Sequence, residues 1–493
     1  MRVITLKGPL DTLKRHRYFA LMSENTAAII LAAGQGTRMR SALPKVLHPA
    51  CELPLIVHVV RLALASGASP IVVVIGPESK RTRDLLTATF PDAPLVFAVQ
   101  EVARGTGDAA RVGLEAIPDF KGHVLVLAGD VPLLQKKTVS RLQKSGANKA
   151  VAVLTTFVED PTGYGRIIRD GKKLLRIVEQ KDASKAEKEI SEINSGVYLF
   201  HTALLRPAVL ALRSDNAQGE FYLTDVVEQA GSQDQAVAVV AADPSECAGV
   251  NNREQLAFVE ATLRTRLIRF WQDKGVTFLD PTGTFIGSDV KLAQDVTIGV
   301  GVQLWGQTKI AKGVVIHGPC FVKDTQIGSG TMVHSFSHLE QAKVGKDAQI
   351  GPFARLRPQA ALADEVKVGN FVEVKKSQIG KGAKLNHLSY VGDATIGARS
   401  NVGAGTITCN YDGHNKHQTV LGSDVFIGSN STLVAPLELG NGAYVAAGST
   451  ITKVVPADAL AFGRSKQVNR EDYAALLKER NEQAKAARLK GNE

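Results

Sequence analysis

Val344-Gly345-Lys346-Asp347-Ala348-Gln349-Ile350-Gly351 decides the fold of half this chain. An aliphatic residue followed by glycine returns after six residues. The pair recurs on either side, as Ile286-Gly287, Ile298-Gly299, Ile310-Ala311 and Ile316 upstream and as Val368-Gly369, Ile396-Gly397, Val402-Gly403, Leu421-Gly422, Ile427-Gly428 and Leu439-Gly440 downstream, nearly always at multiples of six. One aliphatic and one small residue per six is the pattern of a parallel β-helix, in which the aliphatic side chain stacks inward and the small one permits the corner. Ordinary strands with glycine turns would drift out of phase over so long a run. Two stretches break the pattern: 406–417, across which Val402 and Leu421 stand 19 apart, and the unusually polar 376–389.

Upstream the pattern changes. Short Val-rich runs at 28–33, 71–75, 95–99, 124–128, 150–154 and 196–200 are apolar throughout, as in parallel strands buried on both faces, and 55–64 and 106–117 between them read as helices. These predict a doubly wound α/β domain over 26–252, with ligands at the carboxyl ends of its strands. Leu256, Val259, Leu263, Leu267 and Phe270 recur at helical spacing, so 253–275 is expected to be a linker helix, followed by the β-helix over 276–465 and a charged tail over 466–493. Residues 1–25 hold only 18–22 as an apolar run, too short for a secretion signal. They are expected to be a disordered or start-site extension, with Met22 as the natural start.

The 493 residues are 44% hydrophobic and 22% charged, ordinary for globular proteins, which excludes wholesale disorder. A net charge of +11 favours anionic partners. Nucleic acid is a poor candidate because aromatics are scarce, at 5%, and no nucleic-acid-binding motif is present. Four cysteines without a CxxC pair and no membrane-length apolar run fit a cytoplasmic protein.

The first strand runs into Leu31-Ala32-Ala33-Gly34-Gln35-Gly36-Thr37-Arg38-Met39, followed by Leu43-Pro44-Lys45. Glycines after a strand let backbone N–H groups close round phosphate, and Arg38 and Lys45 supply compensating charge. Met39 stands where the dinucleotide fingerprint needs a small residue, and the Gly-Lys-Ser/Thr end of a P-loop is absent. The stretch resembles the sugar-nucleotidyltransferase family, whose hallmark is a Gly-x-Gly-Thr-Arg loop followed by Pro-Lys. With the repeats behind it, the resemblance extends over about residues 27–466 to the bifunctional members, which acetylate glucosamine-1-phosphate and then uridylylate the product to UDP-N-acetylglucosamine.

Nucleotidyl transfer needs positioning and neutralisation of phosphate charge by a divalent metal and basic groups. Asp130, in Leu127-Ala128-Gly129-Asp130, stands where a hard oxygen ligand is wanted, although a lone Asp after a strand is usually only a turn or cap residue. The resemblance makes Asp130 and Asn251 the Mg²⁺ ligands. It assigns Leu31, Ala32, Ala33, Gly34, Arg38 and Lys45, with Ala128 and Gly129, to the nucleotide and sugar site. Gln100, Gly105 and Thr106 become the uracil-reading segment, and Gly165, Glu179 and Asn194 the contacts to N-acetylglucosamine. Gln35 and Ala128 depart from the family's lysine and aromatic residue, so neither is expected to supply charge or a ring.

Acetyl transfer from a thioester to an amine needs a base, an oxyanion donor and grips on two anionic substrates. His387 lies in the polar interruption, and an isolated histidine is usually a surface or core residue. The resemblance makes it the catalytic base, with Arg357, Lys375, Tyr390 and Asn401 on the sugar phosphate and Ala404, Asn410, Tyr411, Ser429, Ala447 and Arg464 on acetyl-CoA. It also implies left-handed coils and a homotrimer, neither of which a six-residue period dictates. The competing reading is an ADP-glucose or GDP-mannose type nucleotidyltransferase whose β-helix only serves oligomerisation.

Overall fold

The structure, a computed structural model, describes residues 26–34, 36–241 and 243–490. The expected 1–25 extension, Gln35 and the last three residues of the tail lie outside the described residues. Contacts divide the chain into two compact units, the first within Met1–Trp271 and Phe285–Asp289, the second within Gln272–Thr284 and Val290–Glu493.

The first unit is built on nine strands: β1 (Thr26–Leu31), β2 (Ile71–Ile75), β3 (Leu95–Val99), β4 (His123–Ala128), β5 (Val151–Phe157), β6 (Arg166–Asp170), β7 (Lys173–Val178), β8 (Glu192–His201) and β9 (Ala236–Val240). Their order is β9-β5-β8-β4-β1-β2-β3, with the β6–β7 hairpin joined to β8 through β6. β1 runs parallel to β2 and β4, and its alternate side chains feed two cores. Ala28 and Ile30 pack with Val57 and Val60 of helix α1 (Leu55–Ala65), whereas Ala27 and Ile29 pack with Ala110 and Leu114 of α2 (Thr106–Glu115). Helices on both faces explain why the central strands are apolar without alternation, and the unit is the expected Rossmann-like α/β fold.

β8 differs from the expectation for 196–200. It runs antiparallel to both β4 and β5. A strand covered on both faces reads as an apolar run in either direction, and its direction is set by the chain's route through the β6–β7 hairpin. That hairpin was not expected, because its charged, half-exposed residues mask the strand alternation.

The second unit stacks parallel strands of two to four residues into three sheets of eleven, ten and nine strands, consistent with a left-handed β-helix. Ile298, Ile316, Val333, Ile350, Val368 and Leu385 form an inward ladder, each at most 1% exposed. Every such side chain contributes about 1.5–3 kcal/mol by leaving water. The small residue at each corner answers to the next coil's backbone: a Cβ on Gly428 would lie 2.4 Å from the Ala447 nitrogen. The six-residue period is not strict. Leu304 to Ile310 is six residues, but Val322 to Ile327 is five, and the five-residue corners turn on Asp324, Gln341, Lys376 and Asp393, all left-handed at φ 47–49°. Most coils are therefore 17 or 18 residues long; the first, where Thr277 pairs with Thr297, and the last, where Tyr444 pairs with Leu460, differ, and where Thr395 pairs with Val420 the 409–418 loop is extruded without disturbing the stack.

The amphipathic helix spans Arg253–Gln272, and a second helix, Tyr473–Lys490, occupies most of the charged tail. No helix of the described residues is long and apolar enough to cross a membrane.

Candidate functional site

In the first unit, most of the residues expected to bind nucleotide and sugar line one cleft of about 370 Å³ at the carboxyl ends of β1 and β4, whereas Arg38, Gly129, Gly165 and Asn251 are not among its lining residues. Leu31, Ala32, Ala33 and Gly34, from the end of β1 onward, line it together with Ala128, Asp130 and Lys45. Gly129 ties the two strands, its N–H donating to the Leu31 carbonyl at 2.9 Å. Gly36 is left-handed at φ 64°, and a Cβ there would lie 2.5 Å from the Cβ of Lys45, so glycine lets the loop pass the lysine it must sit beside.

Lys45 and Val250 contact Asp130, and Asn251 joins the cluster through Lys45, and Arg38 through Asn251. Lys45 Nζ donates to the Asp130 carboxylate and to Asn251 Oδ1 at 3.2 Å, and Arg38 donates to the same Asn251 oxygen at 3.0 Å. The Val250 N–H bonds to the Asp130 carbonyl at 3.0 Å, fixing the 249–252 segment against the end of β4. A lysine ammonium thus lies between two hard oxygen donors.

Gln100, Gly105 and Thr106 lie together at the mouth of α2. Gln100 donates to Asp108 at 2.9 Å and to the Gly105 carbonyl at 3.3 Å. Partial burial works against ionisation of Asp108, but the Gln100 amide and Arg111 outweigh it and hold the carboxyl below its ordinary range. Gly105 is at φ 106°, and a Cβ would meet the Phe221 carbonyl at 2.6 Å.

Glu179 and Asn194 line the same cleft. Burial pushes the Glu179 carboxyl above the ordinary carboxylate range, partly offset by the Thr224 hydroxyl, which donates to it at 3.3 Å. The Asn194 N–H donates to the Gly165 carbonyl at 2.9 Å, and its side-chain amide to the Tyr198 hydroxyl at 2.6 Å. Tyr198 and Thr224 line the cleft and were not foreseen, Tyr198 because it sits inside an apolar run and Thr224 because an irregular segment gives no signal.

In the second unit His387 is fixed by a residue that sequence reading missed. Asn370 pairs with it across successive coils, and Asn370 Oδ1 lies 2.8 Å from His387 Nδ1. The residues expected to grip acetyl-CoA follow in line. The Gly405 N–H donates to the His387 carbonyl at 3.3 Å, the Asn430 N–H to Ala404 at 2.7 Å and the Gly448 N–H to Ser429 at 2.8 Å. A Cβ on Gly448 would touch Arg464 Cδ at 3.9 Å. His387, Ala404, Ser429, Ala447 and Arg464 therefore run along one edge of the β-helix.

The expected sugar-phosphate residues lie on neighbouring strands. Arg357 donates to Glu373 at 2.8 Å, and Glu373 pairs with Tyr390 on the next coil. Lys375 follows on the same strand as Glu373, opposite Gly392. Asn410 is buried and donates to Asp393 at 2.6 Å, while Asp393 also pairs with Lys376 at 3.2 Å. Asn401 stands apart on the sheet of Lys384 and Phe426. Tyr411, more than half exposed, makes its contacts within the extruded loop, with Lys416 Nζ 4.2 Å over its ring.

The nucleotidyl transferase family model matches residues 27–277, and that of the GMPPB C-terminal domain matches 339–437. The chain is similar to the bifunctional protein GlmU of Kineococcus radiotolerans, 46% identical over 95% of both chains. It is likewise similar to that of Acinetobacter baylyi, 45% identical over 91% of this chain and 98% of the relative, and to that of Cupriavidus pinatubonensis, 44% identical over the same shares. With the matched cleft in its first unit and the repeats in its second, the chain belongs to the GlmU family of bifunctional nucleotidyl transferases.

Proposed function

We propose that the chain makes UDP-N-acetylglucosamine in two reactions. Residues 276–465 transfer acetyl from acetyl-CoA to glucosamine-1-phosphate, and residues 26–252 transfer uridylyl from UTP to the resulting N-acetylglucosamine-1-phosphate, releasing pyrophosphate. The observation that carries this reading is the convergence, around one cleft, of the Lys45–Asp130–Asn251 cluster with the polar pair Glu179 and Asn194. The cluster suits a triphosphate, the polar pair a sugar.

The donor set fits Mg²⁺. The Lys45 ammonium already places positive charge between Asp130 and Asn251, and Mg²⁺ typically takes one or two protein oxygens and completes its shell with water and phosphates. Among the described residues no group of three His, Cys, Asp or Glu forms a closed metal cage. When bound there, the ion neutralises phosphate charge. Lys45 and Arg38 grip the triphosphate, Gln100 reads the base, and Glu179 and Asn194 orient the sugar so that its phosphate oxygen meets the α-phosphorus as the bond to pyrophosphate breaks.

In the acetyl reaction the amine nitrogen attacks the thioester carbonyl, His387 Nε2 takes the amine proton, and the C–S bond breaks to release the CoA thiol. With the Asn370 oxygen as acceptor, His387 carries its proton on Nδ1, a tautomer assigned from the hydrogen bond. The lone pair on Nε2 is then free. A β-helix serving oligomerisation alone has no use for this pair.

The homotrimer implied by the family finds support in an exposed ladder. Phe336, Phe353 and Phe371 stack at 4.9 and 5.2 Å, each 45–55% exposed and each left-handed at φ 54–62°. The left-handed corner belongs to the coil itself, as at Asp324 and Gln341, but an exposed phenylalanine at three of these corners serves neither folding nor solubility of a single copy. Burial against further copies of the chain accounts for it. The four cysteines form no disulfide, in keeping with a cytoplasmic setting.

The test is to supply one purified preparation with each half-reaction. Release of pyrophosphate from UTP and N-acetylglucosamine-1-phosphate with Mg²⁺, and of free thiol from acetyl-CoA and glucosamine-1-phosphate, is expected. Absence of either refutes the bifunctional reading.

A further inference from the structure

Arg166 is 1% exposed, and among the described residues no carboxylate forms an ion pair with its guanidinium. Its Nη1 donates to the Tyr164 carbonyl, its Nη2 to Gln180 Oε1 at 2.7 Å and to the Lys188 carbonyl at 3.3 Å, and its Nε has no partner although buried. A buried cation held only by neutral oxygens is poorer for stability than an apolar side chain of similar volume would be. Packing alone does not explain it.

Its place in the sheet does. Arg166 opens β6, where its backbone pairs with Val178 of β7 on one side and Ile193 of β8 on the other. The residue next to each of these three is a sugar-contact candidate: Gly165, Glu179 and Asn194. The three are also mutually tight. Asn194 bonds to the Gly165 carbonyl, and a Cβ on Gly165 would lie 3.4 Å from both carboxylate oxygens of Glu179. The guanidinium ties the loop before Gly165, through Tyr164, to the segment after Glu179, through Gln180, so one rigid fork sets the spacing between two walls of the pocket.

We propose that Arg166 is the positioning residue of the sugar pocket: it touches no substrate, and its guanidinium clamps the Tyr164 and Gln180 segments so that Gly165, Glu179 and Asn194 stay at the spacing N-acetylglucosamine requires. The inference rests on the sugar-contact reading of those three residues. Lysine cannot replace the fork, because one ammonium cannot span two acceptors with fixed geometry. A misplacement of about 1 Å costs roughly 10²-fold in a positioned reaction.

Steady-state kinetics of uridylyl transfer on the full chain test this, with UTP and N-acetylglucosamine-1-phosphate varied separately. Arg166→Met and Arg166→Lys are expected to raise KM for the sugar phosphate about 10- to 100-fold. KM for UTP, acetyl transfer and the thermal unfolding midpoint of Arg166→Lys should stay near wild type. Gln180→Ala removes one acceptor without creating a cavity at the arginine, and should give a smaller rise in the same constant, which keeps the test open if Arg166→Met does not fold. A parallel rise in both KM values, or no rise for Arg166→Lys and Gln180→Ala, overturns the proposal. Glu179→Gln and Asn194→Ala serve as references. If they leave KM for the sugar phosphate unchanged, the sugar-contact reading itself fails; if they raise it while Arg166→Lys does not, the positioning role alone fails.

Discussion

Asn370 and His387 face each other on successive coils of the β-helix, with Oδ1 and Nδ1 2.8 Å apart. The contact fixes both the tautomer and the ring plane of an otherwise exposed imidazole. Asn370→Ala should lower acetyl transfer by about tenfold, the worth of one hydrogen bond near 1.4 kcal/mol, and leave uridylyl transfer unchanged. Thiol release measured beside pyrophosphate release checks it. An unaltered acetyl rate would mean that the ring is held by something else.

His387→Ala should cost more, about 10²- to 10⁴-fold in acetyl transfer, because it removes the proposed base. A variant retaining near wild-type turnover would return His387 to a structural role.

Burial raises the Glu179 carboxyl above its ordinary range, and this predicts a pH signature in sugar binding. The ionised carboxylate is the better acceptor for a sugar hydroxyl, so KM for N-acetylglucosamine-1-phosphate should climb as pH falls through the raised value. Glu179→Gln should show a KM raised by about 10- to 100-fold with no such climb, since a hydrogen bond to a charged group contributes roughly 1.5–3 kcal/mol. For folding the sign is opposite: burial favours the protonated form, so this group's contribution is fully present below the ordinary glutamate range and is lost as pH rises through the raised pKa. Unfolding of Glu179→Gln across pH, compared with wild type, reads that difference.

Phe353 stands in the middle of the exposed phenylalanine ladder. Phe353→Asp should shift the sedimenting species toward the single chain without lowering the unfolding midpoint of the β-helix, because aspartate tolerates a left-handed backbone better than phenylalanine does. An unchanged assembly would remove the ladder from the interface.

The inward ladder of the β-helix was legible because every aliphatic residue meets the same residue type in the coils above and below. What the period concealed was the length of a coil. Asn370 lies 17 residues before His387, which is one coil, and neither residue type nor local spacing marks the pair until the five-residue corners are known. In the first unit, the glycine loop was legible from its glycines and flanking basic residues, whereas Asp130 alone reads as a turn residue and was singled out only by the family resemblance. β8 was misread in direction because burial on both faces erases alternation, and the same apolar context hid Tyr198. Thr224 reaches Glu179 across 45 residues of sequence, a contact made by the fold alone.

The central claim is that one chain carries two independent sites linked by a diffusing intermediate. The most direct test is to mix separately purified Asp130→Ala and His387→Ala proteins with glucosamine-1-phosphate, acetyl-CoA, UTP and Mg²⁺, and to measure UDP-N-acetylglucosamine. Neither protein alone should form it at an appreciable rate, and the mixture should. A mixture as inactive as its parts, or full product from Asp130→Ala alone, would contradict the account.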